Sequence, residues 1–375
     1  MFFTHAEITK INTKMIFCPI KMENTNRRKI TMIKMAMFDT KPYDREAFSQ
    51  ATGTENINIK YYEAKLNADT VQLAQGYDGV IAFVNDVIDH TVIDALHRYG
   101  VRLIALRCAG FNQVDLQAAR GKITVVRVPA YSPHSVAEHA IAMLLTSVRR
   151  IHKAYIRTKD FNFSLNGMTG FQLYQKTAGV IGTGKIGKEF CKLCLGFGMN
   201  VLAYDPYPDA SLQAKYVSLD ELFQNSDIIS LHCPLTPENH HLINAQTIAK
   251  MKKGVVIINT SRGSLIDTDA LLDGIKQRKV GAACLDVYEE ESDLFFQDNS
   301  GHILDDDVLA RLLSMPNVLL TAHQAFLTVE ALNNIATTTI SNINTFFSGA
   351  AVENEVTIAE NSTKSGNQKT PVGVS

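Results

Sequence analysis

From Ile33 onward, short apolar runs rich in β-branched residues alternate with amphipathic stretches. The runs IKMAMFD, INIKYYE, GVIAFV, VRLIALR and ITVVRV are separated by patterns such as IDHTVIDALHRYG, whose apolar positions recur at helical spacing. Strands separated by helices cannot join through tight hairpins, so they return by crossovers and pair in parallel. Beyond this rhythm no longer internal repeat is visible in the sequence.

The rhythm changes at Ser132-Pro133. The stretch SPHSVAEHAIAMLLTSVRRIHKAYIRT predicts one long helix, begun by a capping serine with proline at the first helical position. A second strand–helix series starts at KTAGVIG and runs to NVLLTAHQAFLT, an apolar run that ends on His323. A last amphipathic helix, TVEALNNIATTTISNINTFFSG, would then pack back on the first unit. The expected fold is α/β: two Rossmann-like or flavodoxin-like parallel-sheet domains with a cleft between them. One domain takes residues 32–131 plus 325–356, the other 132–324. A chain that crosses twice between two lobes also predicts closure of one on the other around a ligand.

Composition supports two cores and removes several function classes. The 375 residues exceed the usual size of a single core, with 46% hydrophobic and 20% charged residues. A net charge of −1 offers no electrostatic case for nucleic acid or an anionic membrane, and no apolar stretch is long enough to span a bilayer. Cys191 and Cys194 form a C-x-x-C inside a helix-like stretch with no second pair at zinc spacing, so they read as two thiols on one helix and no metal is expected. Six scattered cysteines suit a reducing cytoplasm. Residues 1–31 are broken by Lys10, Lys14 and Lys21, lack the apolar core of a secretory signal, and read as a disordered extension. Translation could equally begin at Met1, Met32 or Met35. Cys18 follows Phe17, unlike a lipoprotein cleavage site, and residues 357–375 read as a flexible tail.

The sharpest chemical signal is TAGVIGTGKIGKEF. Gly182-x-Gly184-x-x-Gly187 lies between an apolar strand and a helix, and Asp205 ends the next strand about twenty residues on. Gly182 permits a tight turn, Gly184 lets backbone approach a pyrophosphate, and Gly187 allows close helix–strand packing. The helix N-terminus then presents unpaired N–H groups to phosphates. Asp205 would accept from a ribose diol and repel a 2′-phosphate. DPYPDA supplies no arginine for such a phosphate, so the cofactor expected is NAD rather than NADP.

Three further segments carry the groups that a ketone accepting hydride requires. VVIINTSRGSLID ends a buried strand at Arg262, whose guanidinium can bind a carboxylate in two parallel hydrogen bonds and polarise the adjacent carbonyl. GAACLDVYEEES ends another strand with Asp286, then Glu289, Glu290 and Glu291. Such an acidic run is usually a solvated loop. A carboxylate from it facing His323 would instead favour the imidazolium and orient the ring. Residue chemistry leaves open which glutamate does so.

The order G-x-G-x-x-G, N-T-S-R-G, D-V-Y-E-x-E and A-H-Q-A-F, over about Ile33 to Val356, resembles the D-isomer-specific 2-hydroxyacid dehydrogenase family. The stretches ALRCAGFNQVDL, VPAYSPHSVAEHA, NFSLNGMTGFQLYQKTAGVIGTGKIG and DLFFQD are similar to its fermentative, NAD-dependent D-lactate dehydrogenase branch in bacteria. The resemblance implies that Arg262 binds the substrate, that His323 donates the proton to pyruvate, and that Glu291 supports His323. It adds cofactor contacts at Lys185, Ile186, Cys233, Pro234, Asn239, Thr260, Ser261 and Asp286, and a substrate pocket lined by Tyr131 and Phe326. Residues 132–324 become the NAD-binding domain and the first lobe the substrate domain. A homodimer or homotetramer is implied, with the helix near 133–156 at the contact. The same fold also serves a bulkier 2-keto acid or an NAD-sensing co-repressor that docks peptides, and both stand as alternatives.

Overall fold

The computed structural model describes residues 32–291 and 294–357. The expectations for the N-terminal extension and the tail beyond Thr357 lie outside these residues. The first unit runs β1 (Ile33–Met37), α1 (Pro42–Gln50), β2 (Ile57–Tyr61), β3 (Gly79–Ala82), α2 (His90–Arg98), β4 (Leu103–Leu106), α3 (Leu116–Ala119) and β5 (Thr124–Val126). Its sheet has the order β2-β1-β3-β4-β5, and every pair is parallel. This is the flavodoxin-like winding. All four residues of β3 and of β4 are buried, as expected of strands covered by helices on both faces. Val80, Ile104 and Leu106 pack with Val92 and Leu96 of α2 on one face.

The chain then crosses through α4 (Pro133–Arg149) and α5 (Ile151–Lys159). Ser132 caps α4 by accepting from Ser135 N at 3.2 Å, with Pro133 next to it. The single helix expected over this stretch is two. Arg150 turns left-handed, with φ of 54°, and ends α4. The reason is tertiary: the chain returns across the helix end, and a Cβ on Gly170 would lie 2.0 Å from the carbonyl oxygen of Val148. A straight continuation would run into it.

The second unit comprises β6 (Thr177–Ile181), α6 (Lys185–Gly196), β7 (Asn200–Tyr204), β8 (Lys215–Tyr216), α7 (Leu219–Asn225), β9 (Ile228–Leu231), α8 (Ala245–Lys250), β10 (Val255–Asn259), α9 (Thr268–Lys276), β11 (Val280–Leu285), α10 (Asp307–Ser314) and β12 (Val318–Leu320). Its sheet, β12-β11-β10-β9-β6-β7-β8, is parallel throughout and reverses winding between β6 and β9. Ligands of such sheets bind outside the carboxyl ends of the strands at this reversal. The run before His323 is strand only over Val318–Leu320. Cys191 and Cys194 are buried in α6 among Ala140, Leu144 and Val201, and burial pushes the Cys191 thiol up to about 12.

Helix α11 (Val329–Phe347) returns to the first unit, where Ala336, Ile340 and Ile343 pack on Met35, Met37 and Leu103. The two crossings are tied together. Ser135 Oγ lies 2.8 Å from Ser132 Oγ and 2.7 Å from Oγ1 of Thr328, the residue that caps α11.

Candidate active site

The turn between β6 and α6 is pressed against the end of β9. Gly182 has φ of 92°, and a Cβ there would lie 2.6 Å from Cys233 N. A Cβ on Gly187 would lie 1.9 Å from the carbonyl oxygen of Gly182, so the helix closes on the turn only with glycine. Gly184, the N-cap of α6, has the opposite surroundings: nothing lies within 4 Å of its Cβ position. Two glycines are therefore required by crowding, and the third opens the helix N-terminus to a phosphate-bearing ligand.

Asp205 directly follows β7. Its Oδ2 accepts from Thr183 N at 2.7 Å, and Oδ1 accepts from Tyr207 N at 2.8 Å. Oδ2 also accepts from Thr183 Oγ1 at 3.2 Å, so Oδ1 is the oxygen that keeps a lone pair for a ribose hydroxyl. The neighbouring cation, Lys188, is engaged by Asp209, whose carboxyl that pairing holds below its ordinary range. An open cradle and a carboxylate beyond it fit NAD.

Both units contribute to a cavity of 330 Å³ lined by Gly110, Phe111, Arg127, Tyr131 and Phe326 on one side and by Ile186, Cys233, Pro234, Thr260, Ser261, Arg262, Asp286 and His323 on the other. Lys185 lines an adjoining pocket of 250 Å³ with Gly184 and Tyr131. On the wall of the larger cavity, Thr260 Oγ1 is buried without a hydrogen-bond partner. Asn239 does not reach the cavity: it accepts from Thr236 N and donates to Pro234 O, both at 2.7 Å, and so closes its own loop.

Arg262 is delivered by a braced turn. Asn259 donates to Arg262 O at 2.8 Å and accepts from Ser261 N at 3.0 Å, and Ser261 Oγ donates to Cys233 O at 2.5 Å. Across the cleft, a Cβ on Gly110 would lie 2.8 Å from Arg262 Nη2, so the first unit approaches the guanidinium closely here.

The acidic run is not a uniformly solvated loop. Glu291 Oε1 lies 2.9 Å from His323 Nδ1, Glu289 Oε1 lies 2.5 Å from His241 Nε2, and only Glu290 is exposed. Holding Nδ1 on a carboxylate leaves His323 Nε2 for proton exchange. Glu291 sits behind the ring rather than on the cavity wall. Asp286 is fully buried. Its carboxylate accepts from Thr321 Oγ1 at 2.5 Å, Gln324 N at 2.9 Å and Ala325 N at 2.8 Å, while its carbonyl accepts from His323 N at 2.7 Å. Asp286 thereby holds the loop that carries His323, whose φ of 51° is a strained, left-handed value.

Phe111, Tyr131 and Phe326 wall the pocket, with further rings packed next to them or to His323. Phe326 lies 6.2 Å from both Tyr131 and Phe83, and Phe296 lies 5.3 Å from Phe83 and 5.9 Å from His323. Burial pushes the Tyr131 phenol up to about 12, so it stays protonated. Several of these residues escape sequence reasoning. Arg107 is fully buried, donates to Asp44 Oδ1 at 3.0 Å and Asp39 O at 2.7 Å, and stacks on Phe83 at 3.9 Å. His139 reaches Thr321 Oγ1 at 3.2 Å from α4. Arg107, His139 and Phe296 lie within stretches that carried the resemblance, but nothing local marks Phe83.

Residues 141–325 match the family described as D-isomer specific 2-hydroxyacid dehydrogenase, NAD binding domain. A 2-hydroxyacid dehydrogenase homolog of Haemophilus influenzae is 53% identical over 86% of this chain and 99% of its own. The D-lactate dehydrogenase of Escherichia coli is 51% identical over 86% of this chain and 100% of its own. A solved structure from Chlamydomonas reinhardtii, described as its pyruvate reductase, superposes with a TM-score of 0.82 at 45% identity, covering 87% of this chain and 99% of that one. With the cradle, the braced arginine and the histidine–glutamate pair in place, the chain belongs to the D-isomer specific 2-hydroxyacid dehydrogenase family and uses NAD as its cofactor.

Proposed function

We propose that this protein is an NAD-dependent D-lactate dehydrogenase that reversibly reduces pyruvate in the cavity between Arg262 and His323. The observation that carries the reading is the His323–Glu291 pair at 2.9 Å, set beside Arg262 in a pocket walled by aromatic rings. The names of the E. coli and Chlamydomonas relatives support this substrate. NADH, when bound, supplies the hydride. Arg262 binds the substrate carboxylate through paired hydrogen bonds and polarises the keto oxygen. His323 gives a proton from Nε2 to that oxygen as it gains charge, and Glu291 stabilises the imidazolium and orients the ring. In the reverse direction His323 recovers the proton from the lactate hydroxyl.

Residues 132–324 form the NAD domain in this reading, and residues 32–131 with 325–356 form the substrate domain. Gly182, Gly184, Lys185, Ile186 and Gly187 hold the pyrophosphate and Asp205 the ribose. Cys233, Pro234, Thr260 and Ser261 line the remainder, while Asn239 and Asp286 shape their loops. Tyr131 and Phe326 bound the substrate. Closure of the lobes removes water from the cavity, and a scattering profile unchanged by NADH with oxamate would count against it.

One surface supports a homodimer or dimer of dimers. None of the residues of α5 is buried, and Ile151, Tyr155 and Ile156 are exposed together with Phe161, Phe163 and Leu165 just beyond. A contiguous series of this kind marks an interface. A gel-filtration mass near one subunit would reject it. Among the described residues no helix is long and apolar enough to cross a membrane, and the free cysteines suit the cytoplasm.

The decisive assay compares NADH oxidation with pyruvate, 2-ketoisocaproate, phenylpyruvate and oxaloacetate, with chiral analysis of the product. Pyruvate turned over to the D-isomer is the expected result. Preference for a bulkier keto acid would keep the mechanism and change the substrate. NADH binding without turnover would favour the sensing alternative.

A further inference from the structure

Behind the Arg262 turn, two consecutive histidines face one carboxylate. His240 and His241 follow the turn Pro237–Asn239, and Glu289 follows β11 in the acidic run. Successive side chains on extended backbone point to opposite sides. Here His241 has φ of 52°, and the two imidazole centroids lie 3.9 Å apart with the rings tilted by 30°. One ligand atom from each of His240, His241 and Glu289 lies within 4.8 Å of the others.

Surrounding bonds hold this arrangement. His241 N donates to Ser264 O at 2.9 Å, Asn244 Nδ2 donates to His241 O at 2.8 Å, and Thr268 Oγ1 donates to the second oxygen of Glu289 at 3.1 Å. A left-handed residue other than glycine is strained and persists where its surroundings over-determine it. An ion pair between His241 and Glu289 would need neither the second imidazole nor the turned backbone.

We infer that His240, His241 and Glu289 form a binding site for one divalent cation of the zinc class. Two imidazoles and a carboxylate suit zinc, cobalt or nickel, whereas calcium and magnesium favour oxygen alone. Bonds of about 2.0–2.2 Å in tetrahedral geometry place ligand atoms about 3.3 Å apart, with water in the fourth position. The His241–Glu289 contact of 2.5 Å opens slightly, and the exposed His240 side chain swings in. The site is built against the catalytic framework: a Cβ on Gly263, next to Arg262, would lie 2.0 Å from the carbonyl oxygen of Tyr288. A bound cation therefore clips the loop at 240–241 to the segment leading to Glu291. Cysteine spacing suggests no metal, and this site depends on histidines and a carboxylate that meet only in the fold.

The test uses the full chain, stripped with a chelator and titrated with Co²⁺ as a visible probe and Zn²⁺ as competitor. Wild type is expected to take one equivalent per subunit, with an absorption band of four-coordinate cobalt that Zn²⁺ abolishes. Loss even of supporting groups weakens metal sites about 10- to 100-fold, so His240→Ala and Glu289→Gln each weaken binding by at least about 10-fold. Zn²⁺ raises the Tm of wild type by mass action but not that of His240→Ala. Because His240 is exposed, metal-free turnover and circular dichroism of His240→Ala match wild type. Absence of stoichiometric Co²⁺ binding to wild type, or a band unchanged in both variants, would overturn the inference.

Discussion

Two histidine–glutamate pairs leave the same acidic run, and they are built alike. Glu289 meets His241 at 2.5 Å and Glu291 meets His323 at 2.9 Å. Both histidines have left-handed backbone, with φ of 52° and 51°. Their surroundings differ. His323 shares a cavity with Arg262 and aromatic rings, whereas His241 stacks on a second, exposed imidazole. The pair itself is therefore not a signature of catalysis. What stands opposite the free ring nitrogen decides its chemistry.

The largest test separates the two directly. His323→Ala should lower kcat for pyruvate by about 10²- to 10⁴-fold, the usual contribution of a general acid, while His241→Ala costs far less. Equal losses would remove the distinction.

A carboxylate that faces no histidine serves as control. Asp86 is buried and accepts from Leu66 N and Phe83 N, each at 2.6 Å, yet burial outweighs those bonds and pushes its carboxyl from 3.8 up to about 7. A raised acid adds stability that is complete below 3.8 and lost as pH rises through about 7. Relative to Asp86→Asn, wild type should lose on the order of 4 kcal/mol across that window, read by denaturant unfolding at several pH values. A flat difference would mean that the carboxyl is ionised throughout.

Arg262→Lys removes the paired geometry and keeps the charge. Loss of one charge-assisted hydrogen bond, about 1.5–3 kcal/mol, corresponds to roughly 10- to 100-fold in kcat/KM. An unchanged KM for pyruvate would argue that the guanidinium does not hold the carboxylate. Smallest is the effect of the wall. Phe296→Ala should shift preference toward 2-ketoisocaproate, each methylene admitted being worth about 1–3 kcal/mol. Competition assays with both acids would read it.

Local chemistry made much of the molecule legible. The strand–helix rhythm, the Ser132 cap and the glycine turn each depend on residues near one another in the chain, so spacing alone announces them. The break at Arg150 does not. It arises where Gly170 crosses the end of α4, a contact between segments whose meeting no periodicity encodes. Asn239 and Asp286 are legible by position along the chain, but their hydrogen-bond partners are not. Their hydrogen bonds go to their own loop and to the His323 loop, because a side chain at a strand end can face either way.

The acidic run shows where the division falls. Sequence by itself determined that a carboxylate cluster follows one strand, that a histidine follows another, and that a nucleotide cradle precedes both. Residue chemistry left three glutamates open, and family resemblance pointed to Glu291. Only the tertiary structure decided the partners. Parallel pairing of β11 with β12 sets Leu285 beside Leu320, which brings Asp286 to Thr321 and the glutamates past it to His323 and His241. Side-chain pattern sets position along a strand, whereas strand order and register set what lies across from it, and proton transfer or metal binding depends on the second.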